Sequence, residues 1–253
     1  MRNLIIRQLK EIEDKENIKI LYAVESGSRA WGFSSKDSDF DVRFIYTHSL
    51  DWYLSIEEKR DVIELPISNA LDITGWDVKK TLKLFSNSNP PLFEWLHSPT
   101  IYLEQGNFAQ KLRDLIPVFY SPNACLHHYL HMAEGNYREY LKGELVRIKK
   151  YFYVLRPILA CMWIETRKII PPMEFDKLLH AQKLDKELVT EIESLLLKKG
   201  AGEELHVEKK IEIINNFLED KLAHFEQATK GMKAKKHTNI QILDNLFRDL
   251  VSK

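Results

Sequence analysis

ESGSRAWGFSSKDSDFDVR, residues 25–43, decides how this chain is read. It begins where the apolar run 18–24 gives out, which predicts a strand running into a Gly-Ser turn. Gly27 has no side chain, so the backbone can take shapes closed to other residues and pass near a ligand. Ser28 to Ala30 then opens a short helix whose free N–H groups favour a phosphate. Gly32 ends that helix, and residues 34–37 are rich in turn formers. The following stretch, SDFDVRFI, alternates polar and apolar residues as a half-buried strand does. Residues two apart on a strand share a face, so Asp39 and Asp41 are expected to project together. Paired carboxylates repel one another and need a counter-charge. A divalent cation supplies it, and Mg²⁺ favours a few carboxylates together with substrate phosphates. Each short motif is weak alone. The order of turn, short helix, turn and paired aspartates is far more restrictive, and it is the layout of a site that transfers nucleotidyl groups.

Composition bounds the rest. The 253 residues are 44% hydrophobic and 29% charged, a soluble globular profile with ample core material. Lys+Arg and Asp+Glu are both 37, so global charge gives no reason to expect a nucleic-acid partner. Residues 1–120 carry 15 basic and 18 acidic side chains (net −3) and residues 121–253 carry 22 and 19 (net +3), too small a contrast to argue from. With only Cys125 and Cys161 there is no disulfide framework, which fits a reducing compartment. The N-terminal stretch is charged and amphipathic, and no run reaches membrane-spanning length. A cytoplasmic protein without membrane partners is the expectation.

Along the chain, helical spacing predicts a helix over residues 4–16, followed by strands over 18–24, 40–46, 61–65 and 71–74. Asp77 is placed to cap a helix over 78–85, and residues 92–96 begin another helix or extend a turn. From Pro122 onward only helices are expected, over 125–141, 145–169, 175–180, 186–199 and 208–229. A basic link, GMKAKKHTN, leads into a last helix over 240–251. The pattern predicts an α+β fold: a small mixed-sheet catalytic domain over 1–120 and an all-helical domain over 121–253.

A third carboxylate should stand near Asp39 and Asp41 if two metals are bound and an attacking hydroxyl is activated. Asp72, flanked by apolar residues in a strand, is favoured over Asp77, whose capping role already accounts for it. Lys149, Tyr153 and Arg156 fall at i, i+4 and i+7, so on one continuous helix they share a face that suits a triphosphate and a base. The competing explanation is an amphipathic helix whose long stems cover the core. His127, His128 and His131 form HHxxH, a spacing able to hold zinc, but no other ligand is evident nearby. Ser28 is not in a Gly-x-Ser-x-Gly elbow, which argues against a hydrolase nucleophile.

Three ordered blocks carry a resemblance: GSRAWGFSSKDSDFDVRFIY, then DITGWDVKKTLKLFSNSNPPLFEWLHSP, then KKYFYVLRPILACMWI followed by Pro171-Pro172. Over roughly residues 15 to 180 the chain resembles the DNA polymerase beta-like nucleotidyltransferase superfamily, in its RlaP (RNA-ligase-associated) or YcgL-like branch. The resemblance implies an α/β palm, a helical second domain, and transfer of a nucleoside monophosphate from a nucleoside triphosphate. It implies Mg²⁺, with Mn²⁺ as the alternative. Gly27 and Ser28 match the turn that holds the triphosphate, with Arg29 beside them; Asp39 and Asp41 match the metal pair. Asp72 best matches the third carboxylate, and Asp77 stays in contention. An RNA end is one expected acceptor. Nucleotidylation of a protein or small molecule, and a nucleotide sensor without turnover, are the rival functions.

Overall fold

The computed structural model describes residues 1–68, 70–201, 207–232 and 239–252. Its elements run, in order, α1 (Arg2–Glu16), β1 (Lys19–Ser26), α2 (Gly27–Trp31), β2 (Phe40–Thr47), α3 (Leu50–Tyr53), β3 (Val62–Glu64), β4 (Leu71–Asp77), α4 (Val78–Ser86), α5 (Pro90–Leu96), β5 (Ile101–Glu104) and α6 (Phe108–Phe119). There follow α7 (Pro122–Tyr140), β6 (Leu145–Arg147), a 3₁₀ turn (Ile148–Lys150), α8 (Tyr151–Arg167), α9 (Phe175–His180), α10 (Lys186–Gly200), β7 (Val207–Lys209), α11 (Glu212–Thr229) and α12 (Ile240–Val251). By contacts the chain forms two compact units. One gathers Met1–Ala30, Asp39–Phe119 and α12; the other gathers Trp31–Ser38 and the elements from α7 to α11.

The first unit is built on a five-stranded sheet of order β3-β4-β2-β1-β5. β2 and β4 are parallel, and the other neighbours are antiparallel. A parallel pair needs a long crossover, here filled by α3 and the edge strand β3. Ile5, Leu9 and Ile12 recur at helical spacing on α1 and bury that stripe against Ile20, Val42, Phe44, Tyr46, Leu71 and Ile73. Each such side chain contributes about 1.5–3 kcal/mol by leaving water. Truncating the fully buried Phe44 to Ala should therefore cost about 3–5 kcal/mol. α12 packs on α4, with Phe247 edge-on to Tyr53 at 5.0 Å between ring centroids.

That packing fixes the other face of the sheet. Because Val42, Phe44, Leu71 and Ile73 turn toward α1, the residues between them (Asp41, Arg43, Asp72 and Thr74) turn away from it.

The α+β architecture with a mixed sheet and a helical C-terminal region is as expected, with three corrections. Residues 101–119 hold β5 and α6, and residues 50–53 the short α3, none of them anticipated. Residues 145–169 are not one helix: Leu145–Arg147 is a strand, paired antiparallel with Val207–Lys209, and the helix starts only at Tyr151. The region after Pro122 is accordingly not purely helical, and α11 begins at Glu212 rather than at 208. Leu, Lys and Arg are good helix formers, so local propensity extends a helix through residues that a distant strand captures. Pro157 lies inside α8. The basic link expected at 231–239 falls mostly outside the described residues. Among the described residues no helix is long and apolar enough to cross a membrane.

Candidate active site

β1 ends at Ser26 opposite Asp41 of β2, and Gly27 then turns the chain with φ +58°. A side chain is excluded there twice over. The left-handed backbone is strained for any residue but glycine. A Cβ built on Gly27 would also lie 1.9 Å from Asp41 Oδ2 and 2.6 Å from its Cγ. The Gly-Ser turn is thus pressed directly onto the Asp41 carboxylate.

On the other side of β2, the parallel register sets Asp41 beside Asp72 of β4. Arg43, two residues on and on the same face, spans them. Its Nη2 donates to Asp72 Oδ2 at 2.8 Å and to Asp41 Oδ1 at 3.3 Å. Its Nη1 donates to the carbonyls of Asp72 (3.0 Å) and Val42 (3.1 Å). Thr74 Oγ1 reaches Asp72 Oδ1 at 3.5 Å. Burial pushes the Asp41 carboxyl above its ordinary range; Arg43 pulls it back, while the charges of Asp72 and Asp39 push it up again.

Asp39 stands one residue before β2 rather than on it, and is exposed. Its carbonyl accepts from Arg29 Nε at 3.1 Å, and the Arg29 guanidinium lies 3.7 Å from the centre of the Phe40 ring. Ser28 is partly buried in α2. Glu25 supports the pair from below, only 2% exposed. Its Oε1 accepts from the Asp41 backbone N–H at 2.8 Å, and its Oε2 accepts from the Tyr102 hydroxyl. Desolvation raises the Glu25 pKa against the pull of these hydrogen bonds.

Asp77 lies elsewhere. It pairs with Tyr46, five residues along β4 from Asp72, or roughly 16 Å at about 3.3 Å per strand residue. Its Oδ1 caps α4 by accepting from Lys79 N at 2.7 Å, and its Oδ2 accepts from Tyr53 OH at 2.6 Å. The geometry therefore brings Asp72, not Asp77, to Asp41.

Lys149, Tyr153 and Arg156 belong to the second unit. Lys149 is on the 3₁₀ turn and the others on α8, so the three do not share one α-helical face. Arg156 is 2% exposed; its Nε and Nη2 donate to the Met173 carbonyl at 3.4 and 3.2 Å, and it lies 4.8 Å from the centre of the Trp31 ring. Lys149 is exposed, and Tyr153 is 43% exposed.

Sequence reasoning gave no role to Glu25, Arg43 or Tyr102. Arg43 was within reach: the alternation that joins Asp39 to Asp41 continues to it. Glu25 showed as a carboxylate at the end of an apolar strand. Nothing local marks Tyr102, which meets Glu25 only through the pairing of β5 with β1.

Asp39, Asp41 and Asp72 are the carboxylates here that could serve a divalent cation. Asp41 and Asp72 are register neighbours that share the Arg43 guanidinium as counter-ion, and the charge of Asp39 bears on Asp41. Among the described residues, however, no three His, Cys, Asp or Glu side chains form a ready metal cluster.

A family model described as "RNA repair pathway DNA polymerase beta family" (RlaP) matches residues 1–249, and this chain belongs to that family. Membership supports nucleotidyl transfer as the class of activity. The chain is 50% identical over 251 residues to a protein of Bacillus subtilis (strain 168) called "Uncharacterized protein YcgL", covering 99% of this chain and 96% of that one. A crystal structure of a nucleotidyltransferase-like protein from Exiguobacterium sibiricum 255-15 overlaps 88% of this chain and 75% of its own. Its 15% identity and TM-score of 0.32 are too low to bear on the fold or the site.

Proposed function

We propose that the chain transfers a nucleoside monophosphate from a nucleoside triphosphate to an acceptor hydroxyl, with an RNA end as the acceptor. The observation that carries this reading is the Asp41–Asp72 pair, set side by side by the parallel β2–β4 register, with the Gly27 turn pressed on Asp41. The family's RNA-repair description supports the acceptor.

In the reaction, the acceptor oxygen attacks the α-phosphorus, and the bond from that phosphorus to the bridging oxygen breaks. Pyrophosphate leaves carrying the electron pair, and Asp72 takes the hydroxyl proton. No covalent enzyme intermediate is needed; catalysis is positioning plus charge stabilisation. The turn at Gly27 and Ser28, with Arg29 beside it, receives the β- and γ-phosphates. Asp39, Asp41 and Asp72 would hold Mg²⁺ or Mn²⁺, which would neutralise phosphate charge as it supplied the carboxylates' counter-charge. Glu25 is a positioning residue, fixing the Asp41 backbone. Asp77 serves the fold.

The test is incubation with α-labelled NTPs, Mg²⁺ or Mn²⁺, and a panel of RNA ends, proteins and small alcohols. Label on RNA that is lost in Asp41→Asn is the expected result. Label on a protein or alcohol alone would move the acceptor to the rival class. Tight NTP binding with no transfer to any acceptor would make the chain a sensor.

A further inference from the structure

Arg43 is tied to the strands as well as to the carboxylates. Its Nη2 donates to Asp72 Oδ2 and Asp41 Oδ1, while its Nη1 donates to the main-chain carbonyls of Asp72 and Val42 at 3.0 and 3.1 Å. Those carbonyls belong to two strands paired in parallel, so they keep their places whether or not a cation reaches the carboxylates. A guanidinium that merely filled an empty metal site would rest on the carboxylates alone. Arg43, Asp41 and Asp72 are all part-buried, where water screens their charges less than at the surface.

Charge sets the consequence. Asp39, Asp41 and Asp72 bring at most three negative charges, and Arg43 returns one. A single divalent ion balances the remaining two. A second ion would leave these groups with excess positive charge. It would also have to part the guanidinium from both carboxylates that it joins, against charge-assisted hydrogen bonds, the stronger kind. Arg43 cannot be diluted away, because it is part of the chain. Asp39 is the one carboxylate of the three for which no bond from Arg43 is formed. Sites that use two metals hold both by their carboxylates; here the protein supplies one of the two cations itself.

We infer that Arg43 is a resident cation standing in for one of two metal ions, so that Asp39, Asp41 and Asp72 take one divalent ion per chain. This deepens the transfer reading above, on which its catalytic meaning rests, but the ion count is measured without any transfer.

The experiment counts Mn²⁺ by native mass spectrometry of the full chain, alone and with α,β-methylene-ATP, whose α-phosphorus cannot be transferred. Wild type should reach one ion per chain and Arg43→Gln two. Arg43→Lys, which keeps the charge, should stay at one. A wild-type count other than one overturns the inference, and so does an unchanged count in Arg43→Gln. Two ions in Arg43→Lys would overturn the charge balance on which it rests. Should Arg43→Gln fail to fold by its melting curve, the wild-type and Arg43→Lys counts decide. Transfer from a labelled NTP, assayed alongside, separates the two readings. Counts of one and two without transfer by the wild type sink the transfer reading alone. Transfer by a wild type that holds two ions sinks this inference alone.

Discussion

Replacing Gly27 by alanine tests whether the turn is seated on the Asp41 carboxylate. The added Cβ meets two obstacles of separate origin. The φ of +58° costs an L-residue about 1–2 kcal/mol wherever it occurs. The approach of 1.9 Å to Asp41 Oδ2 and 3.2 Å to Asp41 Cβ forces a short side chain aside, an overpacking cost of about 1–3 kcal/mol. Gly27→Ala should therefore lower stability by about 2–5 kcal/mol in the native background. With Asp41→Ala already present, the carboxylate is gone; the backbone strain of about 1–2 kcal/mol remains, with only the milder 3.2 Å approach to the retained Cβ beside it. The loss of chain entropy in the unfolded state is common to both backgrounds and cancels. Urea denaturation of the four proteins in the cycle should give a coupling energy of about 1–3 kcal/mol. A coupling indistinguishable from zero would refute the contact, and equal stability of Gly27→Ala and wild type would refute the strained turn as well.

Other outcomes follow from the same geometry. Arg43→Gln leaves Asp41 and Asp72 without their counter-ion and should cost about 1.5–3 kcal/mol in metal-free buffer, with MnCl₂ restoring part of the melting temperature; an unshifted melting curve would show that the guanidinium compensates nothing. Asp77→Asn keeps the cap, since Asn Oδ1 still accepts from Lys79 N, and should move stability by no more than about 1 kcal/mol, as chemical denaturation would show. Glu25→Gln addresses pH. The native Glu25 pKa is raised, so its protonation favours the fold at low pH and that contribution is lost as pH rises through the folded value. The neutral Gln should therefore be at least as stable as wild type at pH 8, with its advantage shrinking as the pH is lowered toward the ordinary carboxylate range. A melting-temperature advantage that grows on acidification would contradict the sign.

Much of the first unit was legible because its signals are local. The alternation through Asp41, the Gly-Ser break after an apolar run and the Asp77 cap each act within a few residues, and each appears where the pattern put it. What stayed hidden depends on partners far along the chain. The strand Leu145–Arg147 exists only through its pairing with Val207–Lys209, and Tyr102 reaches Glu25 across 77 residues. The helical spacing that joins Lys149 to Tyr153 and Arg156 is lost in the 3₁₀ turn, which places the neighbouring Lys150 ammonium 4.2 and 4.5 Å from the ring centres of Tyr140 and Tyr153. Arg156 reads as a surface cation in sequence, yet Trp31, brought from far upstream, and the Met173 carbonyl hold it inside the second unit.

The most direct test of the account compares Asp41→Asn, Asp72→Asn and Asp77→Asn in single-turnover transfer from a labelled NTP, each folded by its melting curve. The account predicts that Asp41→Asn and Asp72→Asn lose at least about a thousandfold in rate, equivalent to about 4 kcal/mol of barrier, while Asp77→Asn stays within a few-fold of wild type. Turnover that survives in Asp72→Asn but disappears in Asp77→Asn would contradict it.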